Sequence, residues 1–284
     1  MLVNSKEILL AAKKGNYGVP APDYFDLDSA RCFVEVAEEL QKPMILSFAQ
    51  VHCEMGLMTL EEAGLIGRYL GERAGVPIVL HLDHGTDEAF IKKAIDLGFT
   101  SVMLDASMES FEVNVRRTKA MADYAHAHGV TIEAEIGHVG TGENYNGDGD
   151  SDSVYTTVEE AVEFECRTGV DSLAVSIGTA HGLYKNCRQP VIYFERLHQL
   201  AAAVKAPLVL HGSSGSGEEN LRRCAAEGIS KVNVLTDFLT GAMEAVREKN
   251  PSGYLELKAA ANEGMKQMLR HCFWLYGQIV SNSV

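Results

Sequence analysis

The 284 residues, 46% hydrophobic and 23% charged with only 7 prolines, describe an ordinary globular chain with ample material for a large core and no disordered tail. A formal net charge of -14 repels phosphate backbones and anionic lipid, so nucleic-acid or membrane binding would need a basic patch that the sequence does not supply. Six scattered cysteines (Cys32, Cys53, Cys166, Cys187, Cys224, Cys272) form no CxxC pair and read as the reduced thiols of a cytoplasmic protein.

The first stretch, MLVNSKEILLAAKK, holds a four-residue apolar block between basic residues. That is neither a signal peptide nor a membrane span, which keeps the expected location cytoplasmic. From there short apolar or β-branched runs alternate with longer amphipathic ones. YGVPAP (17–22) is followed by DSARCFVEVAEELQ, PMILSF (43–48) by TLEEAGLIGRYLGERAG, and PIVLHL (77–82) by DEAFIKKAIDLG. TSVMLD (100–105) precedes SFEVNVRRTKAMADYAHAHG, VTIEAEI (130–136) precedes TVEEAVEFECRTG, and DSLAVSI (171–177) precedes PVIYFERLHQLAAAV. PLVLH (207–211) leads into EENLRRCAAEG, KVNVL (231–235) is the last run, and a final helix and the apolar FWLYGQIV follow residue 250. The short runs predict strands, and the long ones, apolar at spacings of three and four and often closed by glycine, predict helices. Thr86, Thr157 and Ser216 stand where N-caps belong.

Length alone permits two average domains. Eight βα repeats in one uninterrupted chain instead predict a single (β/α)8 TIM barrel over residues 1–284, with a helical extension from about 250 to 284 that docks on the barrel or on a second subunit. An open doubly wound sheet usually has fewer strands and a dinucleotide fingerprint, which is absent here. The one long loop, residues 137–155, has the length of a lid; its acidic tract with Asp148, Asp150 and Asp152 lacks the terminal glutamate of a calcium loop.

In such barrels catalytic groups sit at the C-terminal ends of strands. There the sequence places Asp83 and His84 after the third run, Asp105 at the end of the fourth, and Glu133 and Glu135 in the fifth. His181 follows the sixth, His211 ends the seventh before GSSGSG, and Asn233, Thr236 and Asp237 belong to the eighth. A lone histidine at a strand end is usually a hydrogen-bonded surface or core residue. Three imidazoles converging there suit Zn²⁺ or another divalent transition ion, with positions left for water or substrate. His81, two residues before Asp83, faces the same way and stands behind the ligands, whereas His126, His128 and His198 lie on amphipathic helices and belong to the surface.

HLDHG, EAEIGHVG, DSLAVSIGTAHGLY, PLVLHGSSGSG and KVNVLTD, in this order and spacing, resemble the zinc-dependent class II ketose-bisphosphate aldolases over nearly the whole chain, the third and fifth motifs being nearer the tagatose-type branch. The resemblance implies reversible cleavage of a phosphorylated ketose into dihydroxyacetone phosphate and an aldehyde. It implies one Zn²⁺ per subunit on His84, His181 and His211, polarising the ketone and stabilising the enediolate, with Asp105 and Glu135 at an alternative metal position. Without metal those two carboxylates would form a hydrogen-bonding pair. Asp83 matches the family's base and Glu143 a glutamate that handles the proton on the enediolate carbon. Gly212, Ser213 and Ser214 with Asn233, Val234, Leu235 and Thr236 would cradle a phosphate through backbone N–H groups and hydroxyls. Gly182 and Gly215 would allow close approach, often beside a monovalent cation such as Na⁺ or K⁺. A homodimer or homotetramer is implied.

Departures bear on the substrate. Asp23 stands where the family has a substrate-binding asparagine, Ala49 replaces a serine or threonine, and Leu235 replaces the aspartate of fructose-bisphosphate enzymes. GYLELKAA lacks the arginine pattern often seen near a second phosphate. A carboxylate at Asp23 disfavours an anion nearby, so the expected donor is neither fructose nor tagatose bisphosphate. Two other readings stay open: a metal-dependent hydrolase on the same fold, which would carry an HxH pair after the first strand where YGVPAPD has none, and a catalytically silent sugar-phosphate-binding barrel.

Overall fold

All eight apolar runs form parallel strands in the computed structural model: β1 (Val19–Pro22), β2 (Met44–Ala49), β3 (Ile78–Gly85), β4 (Ser101–Leu104), β5 (Thr131–Ile136), β6 (Ser172–Val175), β7 (Leu208–Leu210) and β8 (Ile229–Val234). The structure describes residues 1–145, 154–182, 184 and 189–279; Asp148, Asp150, Asp152 and Cys187 lie outside the described residues, as do positions 146–153 of the expected lid and positions 280–284. Helices α1 (Lys6–Gly15), α2 (Leu27–Leu40), α3 (Gln50–Glu54), α4 (Leu60–Arg73), α5 (Glu88–Asp96) and α6 (Phe111–Ala127) occupy the first half. Then come α7 (Val158–Thr168), α8 (Phe194–Ala203), α9 (Glu218–Glu227), α10 (Thr236–Lys249) and α11 (Tyr254–Leu275).

The strands hydrogen-bond in the order β1-β8-β7-β6-β5-β4-β3-β2, and the seam between β1 and β2 is drawn together by a bridge from Asp23 to Ser47. This is a nearly closed (β/α)8 barrel. Each strand is buried on both faces, so its sequence reads as a continuous apolar run, and the two faces do different work. Outward residues such as Leu46, Leu80, Val102, Ile132, Leu173, Leu208 and Val232 pack under the helices in the main core. Inward residues are layered. At the bottom Val19, Ala21, Ile45 and Val79 meet Ile8, Leu9 and Ala12 of α1, which plugs the barrel. Above them the inward positions turn polar, with His81, Glu133 and Lys231, and then Asp83, Glu135 and Asn233 at the mouth, two residues further along each strand.

Thr157 caps α7 as predicted, accepting from Glu160 N–H. The other two caps shift by one residue. Asp87, not Thr86, caps α5, because its carboxylate reaches the N–H groups of Ala89 and Phe90. Gly217, not Ser216, precedes α9, Ser216 being turned back onto the Gly212 carbonyl. The C-terminal helix docks on the barrel: Phe273, Leu275 and Tyr276 are buried, the Tyr276 carbonyl accepts from Gly18 N–H at 2.8 Å, and Gln278 reaches the Pro43 carbonyl at 3.0 Å.

Helices α10 and α11 cross backbone to backbone. A Cβ added at Gly264 would lie 2.3 Å from the Gly241 carbonyl oxygen and 2.9 Å from Ala242 Cα. Backbone cannot rotate aside as a side-chain tip can, so Gly264→Ala must spread the helices. The methyl gains about 1 kcal/mol of helix propensity, and overpacking costs about 1–3 kcal/mol, occasionally more. A net loss of stability is expected, read as a lower urea midpoint with an unchanged slope.

Candidate active site

Asp83 and His84 are consecutive, yet both reach the barrel mouth. Alternation would send one of them outward. The β3–β4 register shifts between Leu82 and Gly85, and His84 takes a left-handed φ of 45°, rare for a residue with a side chain. The bulge turns the imidazole in beside the carboxylate. Such a conformation is costly and is held where the surroundings enforce it; here Asp105 N–H bonds the Gly85 carbonyl at 2.8 Å and Asp105 Oδ2 lies 2.8 Å from His84 Nδ1.

His181 and His211 arrive on loops that touch. Gly212, at φ 64°, packs so closely on Ala180 that a Cβ there would lie 2.5 Å from its carbonyl carbon, and Thr179 Oγ1 donates to the His211 carbonyl at 2.7 Å. The ring centroids of His84 lie 4.9 Å from His181 and 4.5 Å from His211. One ligand atom from each of the three lies within 4.8 Å of the others, and His211 Nδ1 stands 2.7 Å from His84 Nε2. Two of the rings are also held from behind. Asp105 takes Nδ1 of His84, and Glu133 Oε1 takes Nε2 of His211 at 3.0 Å, so the opposite nitrogens face inward. Histidine ligands backed by carboxylates are the usual build of a metal centre. This donor set fits a divalent transition ion.

Asp105 and Glu135 do not bond each other as expected of them without metal. Asp105 also binds Ser107, whose hydroxyl donates at 2.7 Å, while Glu135 Oε1 accepts from Val139 N–H and its Oε2, buried, has no partner. With His84 they form a second possible cluster of donors. A third, His81 with Asp83 and Glu133, already holds a cation: Lys231 Nζ lies 2.7 Å from Glu133 and 3.1 Å from His81. Sequence reasoning did not single out Lys231. Its signal was a lysine on the inward alternation of an otherwise apolar strand, two residues before Asn233.

Charges here are decided by neighbours. Burial opposes a proton on His84, but Asp83 and Asp105 outweigh it and push the imidazole up to about 10. His181 goes the other way, down to about 3, through burial and then repulsion from His84 and His211. Burial works to raise Asp83, yet His84, His211 and Lys231 hold it below the usual carboxylate range. Asn233 Nδ2 donates to Asp83 Oδ1 at 2.8 Å and fixes the carboxylate.

One cavity joins these groups. Its walls include Asp83, His84, His181 with Gly182, His211 with the loop Gly212, Ser213 and Ser214, the segment Asn233, Val234, Leu235 and Thr236, and Asp23 with Ala49, Val51 and His52. Ser213 Oγ donates to the Asn233 carbonyl and Asp237 N–H to Ser214 Oγ at 3.3 Å, tying the two loops together at the start of α10. Glu143 is exposed on the turn Gly142–Asn144 and is not among the residues that wall this cavity, although the Gly142 N–H bonds the His181 carbonyl at 2.8 Å. His126, His128 and His198 are exposed; His126 pairs with Asp171 and His198 with Glu227. No helix among the described residues is long and apolar enough to cross a membrane.

The family described as class-II fructose-bisphosphate aldolase matches residues 3–279. A fructose-bisphosphate aldolase of Thermus caldophilus is 37% identical, covering 98% of this chain and 99% of its own. The D-tagatose-1,6-bisphosphate aldolase subunit GatY of Klebsiella oxytoca is 35% identical over 95% and 97%. The crystal structure of the YdjI aldolase from Escherichia coli K12 superposes with a TM-score of 0.86 at 31% identity, covering 98% of both chains. With three imidazoles and a carboxylate gathered at the mouth of a barrel that these proteins share from end to end, the chain belongs to the class II fructose-bisphosphate aldolase family and is an aldolase.

Proposed function

We propose that this aldolase reversibly cleaves a phosphorylated ketose into dihydroxyacetone phosphate and an aldehyde, with a zinc ion on His84, His181 and His211. The observation that carries the reading is the meeting of those imidazoles and Asp83 in one cavity walled by the Gly212–Ser214 loop. The bound ion supplies a Lewis acid for the ketose carbonyl. Asp83 removes the proton of the hydroxyl on the far side of the breaking carbon–carbon bond and returns it in condensation; its low pKa and its bond from Asn233 keep it ionised and aimed. Glu143 moves the proton to and from the carbon of dihydroxyacetone phosphate that forms the new bond.

Backbone N–H groups of Gly212 to Ser214 and of the first turn of α10, which has no side-chain cap, hold the phosphate. A monovalent cation beside Gly182 and Gly215 completes that charge balance, and Asp105 with Glu135 offers the ion a second position. The protein works in the cytoplasm as a homodimer or homotetramer, which sedimentation velocity would distinguish from a monomer.

The zinc-loaded protein, incubated with dihydroxyacetone phosphate in D₂O, is expected to exchange one C3 carbinol hydrogen for deuterium, followed by NMR. Chelation should abolish exchange and added Zn²⁺ restore it. Bound dihydroxyacetone phosphate without exchange would refute the reading, and so would exchange indifferent to chelation.

A further inference from the structure

Three buried polar atoms of residues that wall this cavity have no hydrogen-bond partner: Asp23 Oδ1, His52 Nδ1 and Asn233 Oδ1. Buried polar atoms are normally paired, and leaving one unpaired is costly. Three around one cavity point to a ligand that supplies the missing bonds.

Their placement is built, not incidental. Asp23, 6% exposed, sits on the barrel seam, its N–H on the Val234 carbonyl at 3.1 Å and its backbone bridged to Ser47. Strand pairing on both sides thus fixes where its carboxylate points. His52, 2% exposed, comes from α3 and packs edge-on against Phe48 with ring centroids 5.7 Å apart. Asn233 already gives its amide hydrogen to Asp83, which leaves the amide oxygen as its open acceptor.

The inference rests on the aldolase reading. Around the barrel, β1 and β2 lie between the phosphate loops after β7 and β8 and the Asp83–His84 pair of β3. With the three-carbon phosphate half on the loops and its carbonyl at the histidines, the aldehyde half is what reaches Asp23 and His52. Two carboxyl groups, Asp23 and Asp83, and the apolar Ala49 and Val51 wall this corner. Burial, and then the charge of Asp83, push Asp23 well above the usual carboxylate range, so it stands as an acid that can both give and accept a hydrogen bond with a hydroxyl; with Asp83 beside it and no lysine or arginine among the described lining residues, nothing there holds a second phosphate.

We infer that Asp23, His52 and Asn233 form a subsite for the hydroxyl groups of an aldehyde that carries no phosphate. The zinc-loaded enzyme would be assayed in the condensation direction with dihydroxyacetone phosphate and either D- or L-glyceraldehyde or the corresponding 3-phosphates. The wild type is expected to favour the unphosphorylated aldehydes in kcat/KM by about tenfold or more. Asp23→Ala, which removes the partner of the aldehyde's hydroxyls, should narrow that ratio by about tenfold, and His52→Phe, which keeps the contact with Phe48, should raise KM for glyceraldehyde. Because these readouts compare substrates on one folded protein, lost stability alone would not move them. A wild type that favours the 3-phosphates, or a ratio unmoved by Asp23→Ala, overturns the subsite. Failure of the wild type to exchange dihydroxyacetone phosphate hydrogen would bring down the aldolase reading and the subsite together; exchange with a preference for the phosphorylated aldehydes would bring down the subsite alone.

Discussion

Replacing Asp83 by alanine is expected to leave the bound metal in place and to lower kcat about a hundred- to ten-thousandfold, the usual contribution of a single general base. The separation of effects follows from geometry. The three imidazoles converge without Asp83, whose Oδ2 stands 3.9 Å from His84 Nε2 while Asp105 and Glu133 back the rings of His84 and His211. Removing Asp83 takes away the proposed proton acceptor and leaves the imidazoles aimed. It also strands Asn233 Nδ2, a buried group, at a cost of about 1–3 kcal/mol, so thermal melting should accompany the kinetics. Metal stoichiometry by inductively coupled plasma mass spectrometry, with steady-state cleavage rates, tests the claim. An alanine variant turning over near the wild-type rate would remove Asp83 from the role of base.

Strand positions were legible because a parallel barrel buries both faces, which turns each strand into a short apolar run that needs no partner to be recognised. Most boundaries move by a residue or two, and two strands run longer than predicted. β3 continues through Asp83 and His84 to Gly85, and β8 begins at Ile229, two residues before the predicted run, because pairing to the neighbouring strand extends across residues whose composition does not announce it. The site was legible where strand ends coincide with histidines and carboxylates, since alternation alone carries His81 and Asp83, or Glu133 and Glu135, to one face. Alternation could not bring His84 inward as well; the bulge and the positive φ do that, and no local motif encodes them. Nor could it show that Asp105 supports His84, that Lys231 satisfies Glu133, or that His52 closes the pocket, since each depends on distances between segments remote in sequence. Departures from the family pattern at Asp23 and Ala49 were readable as letters. Their meaning came from the seam, where burial leaves the Asp23 oxygen without a partner.

His211→Ala is expected to lose both metal and turnover, and the reason lies behind the ligand as much as in front of it. His211 is fully buried, with Nδ1 toward His84 and Nε2 on Glu133; Glu133 in turn binds Lys231 at 2.7 Å, and Lys231 binds His81. One imidazole therefore links the proposed metal position to a buried charged chain running down into the barrel. Its loss removes one of the three proposed protein donors, leaving two, which is too few to hold zinc in a site that keeps positions open for substrate. Glu133→Gln separates the two contributions. It leaves every imidazole in place but no longer draws the His211 proton to Nε2, so metal affinity should fall about 10- to 100-fold, measurable by competition with a chromogenic chelator. The same variant leaves Lys231 without its carboxylate, and breaking a buried pair from one side costs about 3–5 kcal/mol. Saturating zinc should therefore restore turnover to Glu133→Gln while its melting temperature stays low, whereas no zinc concentration should restore His211→Ala. Stoichiometric metal in the His211→Ala protein would mean that the ion sits elsewhere, with Asp105 and Glu135 beside His84 as the place to look.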